Sequence, residues 1–418
     1  MPRRRAAAST PPSSFIGSRS WGVSFAYRDF RFLWASTLLQ SVGMGMEPVA
    51  LGWLVLDMTD SSFMVGASIA ARSAPLFFLG AVSGAIADRV DRRLLIRLVT
   101  SGSVVVASSM AIALLTGAEQ VWHVVTLAVA TGAASAFTMT VRHAYTYDLV
   151  GREHALNGMS LTTTSQQVGS VIGAISAGAV IAFFGVGEQY LVVAGLYLAA
   201  LLVLLAIRDA GQAAPTRRDP VLQSLLGYVR LVRDNRTLMA LMFLASTTEI
   251  FGFTHQTVLP AFARDVLGVG ALGLGLMMAF RAGGGLIGPL VLASLGNFRR
   301  RGQLMFVVAG MFGLGQMAFS LTSNLYVVVL LLAFINACAF SVDTLYRTLM
   351  QDSVPNEQRG RAAGSWVLSI GTAPGGHLGV GAIANTLGAP AALLVNGSIL
   401  LFITVTSAFG MPRMRRLE

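Results

Sequence analysis

The chain reads as an all-α membrane protein, with twelve transmembrane helices arranged as two pseudo-symmetric six-helix bundles. Three observations predict this. First, its 418 residues are 54% apolar and only 12% charged, with a mean hydropathy of +0.68; soluble domains carry about 25% charged side chains. Second, twelve apolar stretches are each long enough to cross about 30 Å of hydrocarbon, six on either side of a polar connector. Third, the two sixes repeat. Arg28-Asp29 and Arg233-Asp234 precede the first and seventh stretches, Asp60 and Asp265 follow them at the same offset, and Asp148–Glu153 has its counterpart in Asp352–Glu357.

Residues 1–26 are rich in Arg and Ser, contain Pro11-Pro12, and lack the apolar core of a signal peptide. They read as a cytoplasmic tail, with a transit peptide as the alternative. The first bundle occupies 27–207, with apolar stretches near 32–56, 62–86, 95–117, 121–142, 160–184 and 189–207. A connector, 208–236, opens with the Pro- and Arg-containing run Gln212–Pro220. It continues with Leu222, Leu225, Leu226 and Val229 on one face of a surface helix. The second bundle, 237–410, holds stretches near 237–260, 271–294, 303–323, 325–347, 362–386 and 388–410, and 411–418 form a tail.

All thirty basic residues are arginine. Twenty-seven fall in the tails and the even-numbered loops, counting Arg142 and Arg347 with their loops; Arg72, Arg264 and Arg281 are the exceptions. The positive-inside rule therefore puts both termini in the cytoplasm. The outer loops carry Asp57, Asp60, Glu119, Glu188 and Asp265. Arginines scattered through short loops fit membrane orientation, so the net charge of +11 does not point to nucleic acid. With Cys338 as the single cysteine, no intrachain disulfide is possible. His123, His143, His154, His255 and His377 lack partners at metal-ligand spacing, and no Gly-x-x-x-x-Gly-Lys loop is present. Neither a metal, a cofactor nor ATP is expected. A membrane-embedded enzyme would need clustered His/Asp or Ser/His groups, and a sensor an added soluble domain; neither is found.

The run Gly84-Ala-Ile-Ala-Asp88-Arg89-Val-Asp91-Arg92-Arg93 follows the second stretch. It resembles the loop 2–3 motif of the major facilitator superfamily of transporters. The resemblance implies the major facilitator fold and a cytoplasmic latch between the halves, with Asp148 among the acids in the same layer. An orientation loop without a latch is the alternative. Where the family usually has glycine this chain has Asp91, a residue type that tolerates left-handed backbone. The second-half loop, Gly288 to Gly302, keeps Arg299, Arg300 and Arg301 but has Ala293 and Ser294 where the aspartate would stand. In the fifth stretch, Gly169, Gly173 and Gly178 resemble the superfamily's exporter motif, with Ala174 replacing its proline. Small residues at this spacing also serve plain helix packing. The runs Tyr27–Trp34, Val49–Leu56, Phe262–Gly268 and Val354–Arg361 resemble the branch of enterobactin exporters and macrolide-efflux-like proteins. Members often carry an aspartate where this chain has Met44.

Ionisable residues inside spans mark functional sites by default. Glu47, Arg72, Glu249, His255, Arg281, Asp343, Arg347 and His377 are such residues. Glu47, next to Pro48, is the first choice for a proton-coupling acid, with Glu249 and His255 second. Arg72, Trp53, Phe251, Arg281 and Asp343 are expected to line a substrate cavity between the halves. Fixed pairs Glu47–Arg72 and Glu249–Arg281 are the alternative. The expected function is secondary active export of a small amphiphilic molecule against protons by alternating access, in a monomer of the bacterial inner membrane. A proton-coupled importer or a lipid or lysolipid translocator is the runner-up.

Overall fold

The computed structural model describes residues 22–87, 90–211, 232–296, 298–355 and 358–417. Among them there are helices and no strands, as the lipid solvent requires. Only an element that satisfies its backbone internally survives where no water competes. In chain order the helices are α1 (Arg28–Thr59), α2 (Ser62–Ala87), α3 (Arg92–Leu115), α4 (Val121–Phe183) and α5 (Val186–Leu205). After the connector come α6 (Arg236–Val266), α7 (Gly270–Ser294), α8 (Arg301–Ser320) and α9 (Leu325–Asp352). The chain ends with α10 (Arg359–Ile370), α11 (Ala373–Leu387), α12 (Ala389–Gly410) and a short α13 (Pro412–Arg415).

Eleven segments among the described residues are long and apolar enough to cross a membrane, Gly364–Leu387 counting as one. The number is eleven because α4 runs on for 63 residues. Straight, it would measure about 95 Å, some three times the hydrocarbon thickness. It breaks at Gly151, whose φ of 71° and ψ of 172° lie outside helical space. The two arms on either side of Gly151 correspond to the fourth and fifth apolar stretches of the sequence. Large apolar side chains such as Ile112, Leu202, Leu290, Leu330 and Phe402 are exposed, which is the surface lipid tails solvate.

Three helix starts at loops are capped by short polar side chains. Asp91 accepts from the amides of Arg93 and Leu94, Asn235 from Thr237 and Leu238, and Asn324 from Tyr326 and Val327. Asp91 therefore has φ of −51° and acts as an N-cap, which corrects the expectation of a left-handed backbone there. The amphipathic stretch expected in the connector lies outside the described residues.

Packing depends on glycine faces. A Cβ on Gly45 would fall 2.6 Å from the Ser170 carbonyl oxygen, and one on Gly169 2.7 Å from Ser41 Cβ. Thus α4 rides on α1. Further along, Gly178 meets Gly275 of α7, each in place of a Cβ that would lie under 3 Å from the other's Cα. The stripe Gly169–Gly178 thus joins α1 and then crosses to the second bundle. Gly52 lies against Pro260, and Gly381 against Ser62 and Phe63. These approaches between the bundles cluster at the end away from the arginine-rich loops. The Gly275→Val variant is expected to lose about 1–3 kcal/mol of stability, the usual cost of overpacking, read as a lowered Tm in detergent. Gly195→Ala, whose Cβ would meet nothing within 4 Å, is the control that does not lower Tm.

Candidate functional site

In the first bundle, Glu47 is 5% exposed. The Arg72 guanidinium donates to its Oε2 at 3.2 Å and the Tyr197 hydroxyl to its Oε1 at 2.7 Å. Beside the pair is a cavity of about 20 Å³ lined by Glu47, Arg72, Met110, Thr131 and Tyr190, among others, which is room for about one water. Every lining residue belongs to α1–α5. Glu47 and Arg72 were expected to face the space between the halves; they form instead a pair inside one bundle. Nor is Arg142 a loop charge, since it is 1% exposed and donates to the Gln40 side-chain oxygen on α1.

The second bundle is built around an irregular helix. Along α6 the backbone changes from α to a π-turn at Thr248–Gly252, to a 3-10 turn at Phe253–Val258, and to a second π-turn at Phe262–Val266. Such departures loosen the regular hydrogen-bond ladder and occur often at functional sites. Side chains from four other helices fill in. Gln316 of α8 donates to the carbonyls of Phe251 and Gly252 at 3.3 and 3.2 Å. Asn396 of α12 donates to Thr254 Oγ1, and His377 of α11 bonds Thr257 through Nδ1 at 2.7 Å. His255 itself is fully buried. Its Nδ1 donates to the Gly252 carbonyl at 2.8 Å and its Nε2 faces the Asn336 amide of α9 at 3.2 Å. A carbonyl only accepts and an amide NH₂ only donates, so this ring is the neutral Nδ1–H tautomer. His255, expected to assist proton coupling, is a fully bonded strut.

Glu249 lies within the first π-turn. It is half-buried and makes no hydrogen bond or ion pair among the described residues; its charged neighbour is Asp343 of α9. Asp343 accepts from Trp366 Nε1 at 2.5 Å and from Arg347 at 3.4 Å, and the Arg347 guanidinium stacks 3.8 Å above the Trp366 ring. Thr248 and Tyr346 link the same two helices through their hydroxyls at 3.0 Å. Arg281 of α7 does not pair with Glu249, so the second of the two alternative pairs is absent. Trp53 and Phe251 are half-buried and packed against the main apolar cluster.

At the arginine-rich face, Gly84 lies in α2, while Asp88 and Arg89 lie outside the described residues. Arg92 donates to Asp148 at 2.6 Å and to the Ala144 carbonyl, while Arg93 reaches Asp91 at 3.6 Å and the Arg208 carbonyl at 2.7 Å. Arg301 pairs with Asp352 at 3.1 Å. This repeats Arg92–Asp148 in the second bundle, and both pairs tie helices of one bundle together. Among the described residues, the hydrogen bonds that join the two bundles lie at the opposite end. There Arg264 donates to Asp60 at 2.5 Å, and Ser61 to Asn385 at 2.9 Å.

The fold of two helical bundles is matched by known proteins. The family model described as transmembrane secretion effector, of the major facilitator superfamily, matches residues 20–417. The chain belongs to this family. It is similar to the staphyloferrin A transporter of Staphylococcus aureus, with 22% identity covering 91% of this chain and 95% of the relative. It is also similar to the enterobactin exporter EntS of Shigella flexneri, with 27% identity covering 93% and 96%. Among solved structures it resembles the nucleoside transporter NupG, with a TM-score of 0.75 and 14% identity over 93% of this chain and 100% of that one. A D-xylose-proton symporter superposes with a TM-score of 0.70 at 14% identity, over 91% and 97%. The chain is a multi-pass membrane transporter for a small molecule, not an enzyme.

Several residues that complete the site were missed in the sequence. Tyr197, Gln40, Gln316, Asn336, Asn396 and Trp366 carry no formal charge and so do not stand out in apolar runs. Arg142 had a signal, for it lies 205 residues before Arg347, the offset of the internal repeat. Arg72→Met is expected to cost about 3–5 kcal/mol by stranding the buried Glu47 carboxylate. The double variant Glu47→Gln with Arg72→Gln is expected to recover part of that loss in thermal unfolding. Equal losses in both would show that the pair carries no such energy.

Proposed function

We propose that this transporter is a proton-coupled exporter of a small amphiphilic organic molecule, working by alternating access in the bacterial inner membrane as a monomer. Both termini lie in the cytoplasm, as the arginine-rich loops indicate. The similarity to exporters of siderophores makes compounds of the enterobactin and staphyloferrin A kind the first substrates to test.

The observation that carries the coupling is Glu249. A carboxyl group deep in a span, at a π-turn and without a fixed partner, gains and loses a proton without breaking a salt bridge. Glu47 has both oxygens occupied by Arg72 and Tyr197, so releasing it means leaving a half-buried arginine unpaired. Geometry thus favours Glu249 over the acid that ranked first in the sequence. The contacts between Asp60 and Arg264, Ser61 and Asn385, and Gly178 and Gly275 support a state closed toward the exterior. Rocking of the bundles about this seam would exchange the open side.

In proteoliposomes with an imposed pH gradient, Glu249→Gln is expected to abolish gradient-driven movement of enterobactin or staphyloferrin A while leaving substrate exchange at equilibrium intact. Gradient-driven transport at the wild-type rate would remove Glu249 from the role. Glu47→Gln is expected to keep coupling in whatever fraction folds. Counterflow in both vesicle orientations separates export from import.

The outer closure gives a second expectation. Arg264 and Asp60 are both partly exposed, and pairs of this kind contribute about 0.2–1 kcal/mol. Arg264→Ala should therefore raise the outward-open population by a factor of about 1.4 to 5. Distances between spin labels at positions 57 and 386, on a Cys338→Ala background, report the change.

A further inference from the structure

The second bundle holds a cation, Arg281, that nothing among the described residues neutralises. Arg281 shares a face of α7 with Met277, Met278, Gly284 and Gly285, all buried. Phe280, Ile287 and Leu290, which are exposed, occupy the other face. The side chain therefore points into the protein rather than into lipid. Gly284 and Gly285 bring that face against Ala333 and Phe340 of α9. The titratable groups in the field of Arg281 are His255 and His377. His377 belongs to α11, the helix on which α2 of the first bundle packs through Gly381. Arg281 thus lies in the interior of the second bundle, in the field of a helix that meets the first. It makes no hydrogen bond or ion pair among the described residues, its Nε is buried without a partner, and yet the residue keeps some accessible surface.

Arginine does not give up its proton in proteins. A lone charge at mid-membrane is costly on any scale, so such residues pair or face a water-filled cavity. The first bundle shows how its own cations are handled. Arg72 has Glu47, and Arg142 is covered completely and bonded to Gln40. Neither device exists for Arg281. The position on α6 that corresponds to Glu47 at the repeat offset is Gly252, which has no side chain to offer. His255 is held neutral by Gly252 and Asn336, and His377 has its Nδ1 engaged by Thr257.

We propose that Arg281 is a subsite for an oxyanion of the transported molecule, which is therefore an organic acid on an apolar frame. This rests on the transporter reading above. The planar guanidinium presents paired N–H donors that match a carboxylate or phosphate in a bidentate fashion. An ester or amide of the same frame cannot supply the counter-charge. The accessible surface left at Arg281 is where that group docks.

The test uses the full-length protein in detergent with two fluorescent probes, dansylglycine, which carries a carboxylate, and dansylamide, which does not. Binding is read by energy transfer from the protein's tryptophans. Wild type is expected to bind dansylglycine about tenfold more tightly than dansylamide, the usual scale of a charge-assisted pair. Arg281→Gln should erase the preference and leave dansylamide affinity unchanged, while Arg281→Lys keeps part of it. A wild type without preference, or Arg281→Gln that retains it, overturns the subsite. So does displacement of dansylglycine by inorganic phosphate at equal concentration, which would mark a simple ion site. A second measurement needs no variant: dansylglycine, not dansylamide, should protect Arg281 from phenylglyoxal, read by mass spectrometry of the peptide. Lack of protection counts against the proposal. Failure here leaves the carrier reading standing, because gradient-driven flux through Glu249 is measured separately; failure of that flux leaves the binding result untouched.

Discussion

Inside a bilayer no water is present to satisfy a stray carbonyl or charge, so the protein must answer each one itself. That constraint is most visible on α6. Over Thr248–Val258 the helix abandons regular α geometry; Gln316 and His255 meet the carbonyls of Phe251 and Gly252, while Asn396, His377 and Asn336 bond the side chains of Thr254, Thr257 and His255. Apart from His255, these side chains come from α8, α12, α11 and α9, so the second bundle is assembled around one broken helix. Removing Asn336 would leave the buried His255 Nε2 without its partner, where desolvation costs about 1–3 kcal/mol. The unpaired Glu249 sits in the first turn of the break, and the irregular backbone gives it room that a continuous helix would not.

Duplication of a six-helix unit supplied the same elements twice, and the two copies have been used differently. At the arginine-rich face the copies agree, with Arg92–Asp148 in one and Arg301–Asp352 in the other. In the interior they diverge. The first bundle closes its charges into Glu47–Arg72–Tyr197 and covers Arg142. The second leaves Glu249 and Arg281 open and carries Arg347 stacked on Trp366 at the position matching Arg142. One bundle thus holds its interior charges in fixed bonds, Arg72 to Glu47 and Arg142 to Gln40, and the other has charge left to meet a proton or a ligand.

The fold was largely legible because hydropathy responds to the solvent, and lipid is an unambiguous one. Boundaries failed where the signal depends on backbone geometry. The seventh stretch was expected to stop near 260, yet α6 runs through a second π-turn to Val266. Charged candidates were also legible, since a glutamate in an apolar run is visible by itself. What each faces was not. A helix that is apolar all round has no polar stripe to mark its outer side, so its sequence carries no phase; Glu47 could be found but not aimed. Uncharged polar residues such as Gln316 and Asn336 dissolve into the same runs. Asp91 shows the opposite error. Its place just before a helix is an ordinary capping pattern, and comparison with a family glycine drew attention to the wrong backbone property.

The distribution of strong interactions explains how such a molecule can switch. Charge-assisted pairs with little exposure, Glu47–Arg72 and Arg92–Asp148, lie within one bundle. Between bundles the described polar links are two, Arg264–Asp60 and Ser61–Asn385, both involving exposed groups. Much of the rest of the seam is glycine against backbone, as at Gly178 and Gly275, or against apolar side chains, as at Gly52 and Pro260. Such contacts gain only dispersion energy, about 0.1–0.2 kcal/mol per atom pair, and they leave no buried polar group behind when they part. Opening the seam therefore costs little, whereas bending a bundle would break its internal pairs. The molecule is stiff where its polar bonds are and separable where its glycines are, which is the mechanical requirement for moving as two rigid bodies.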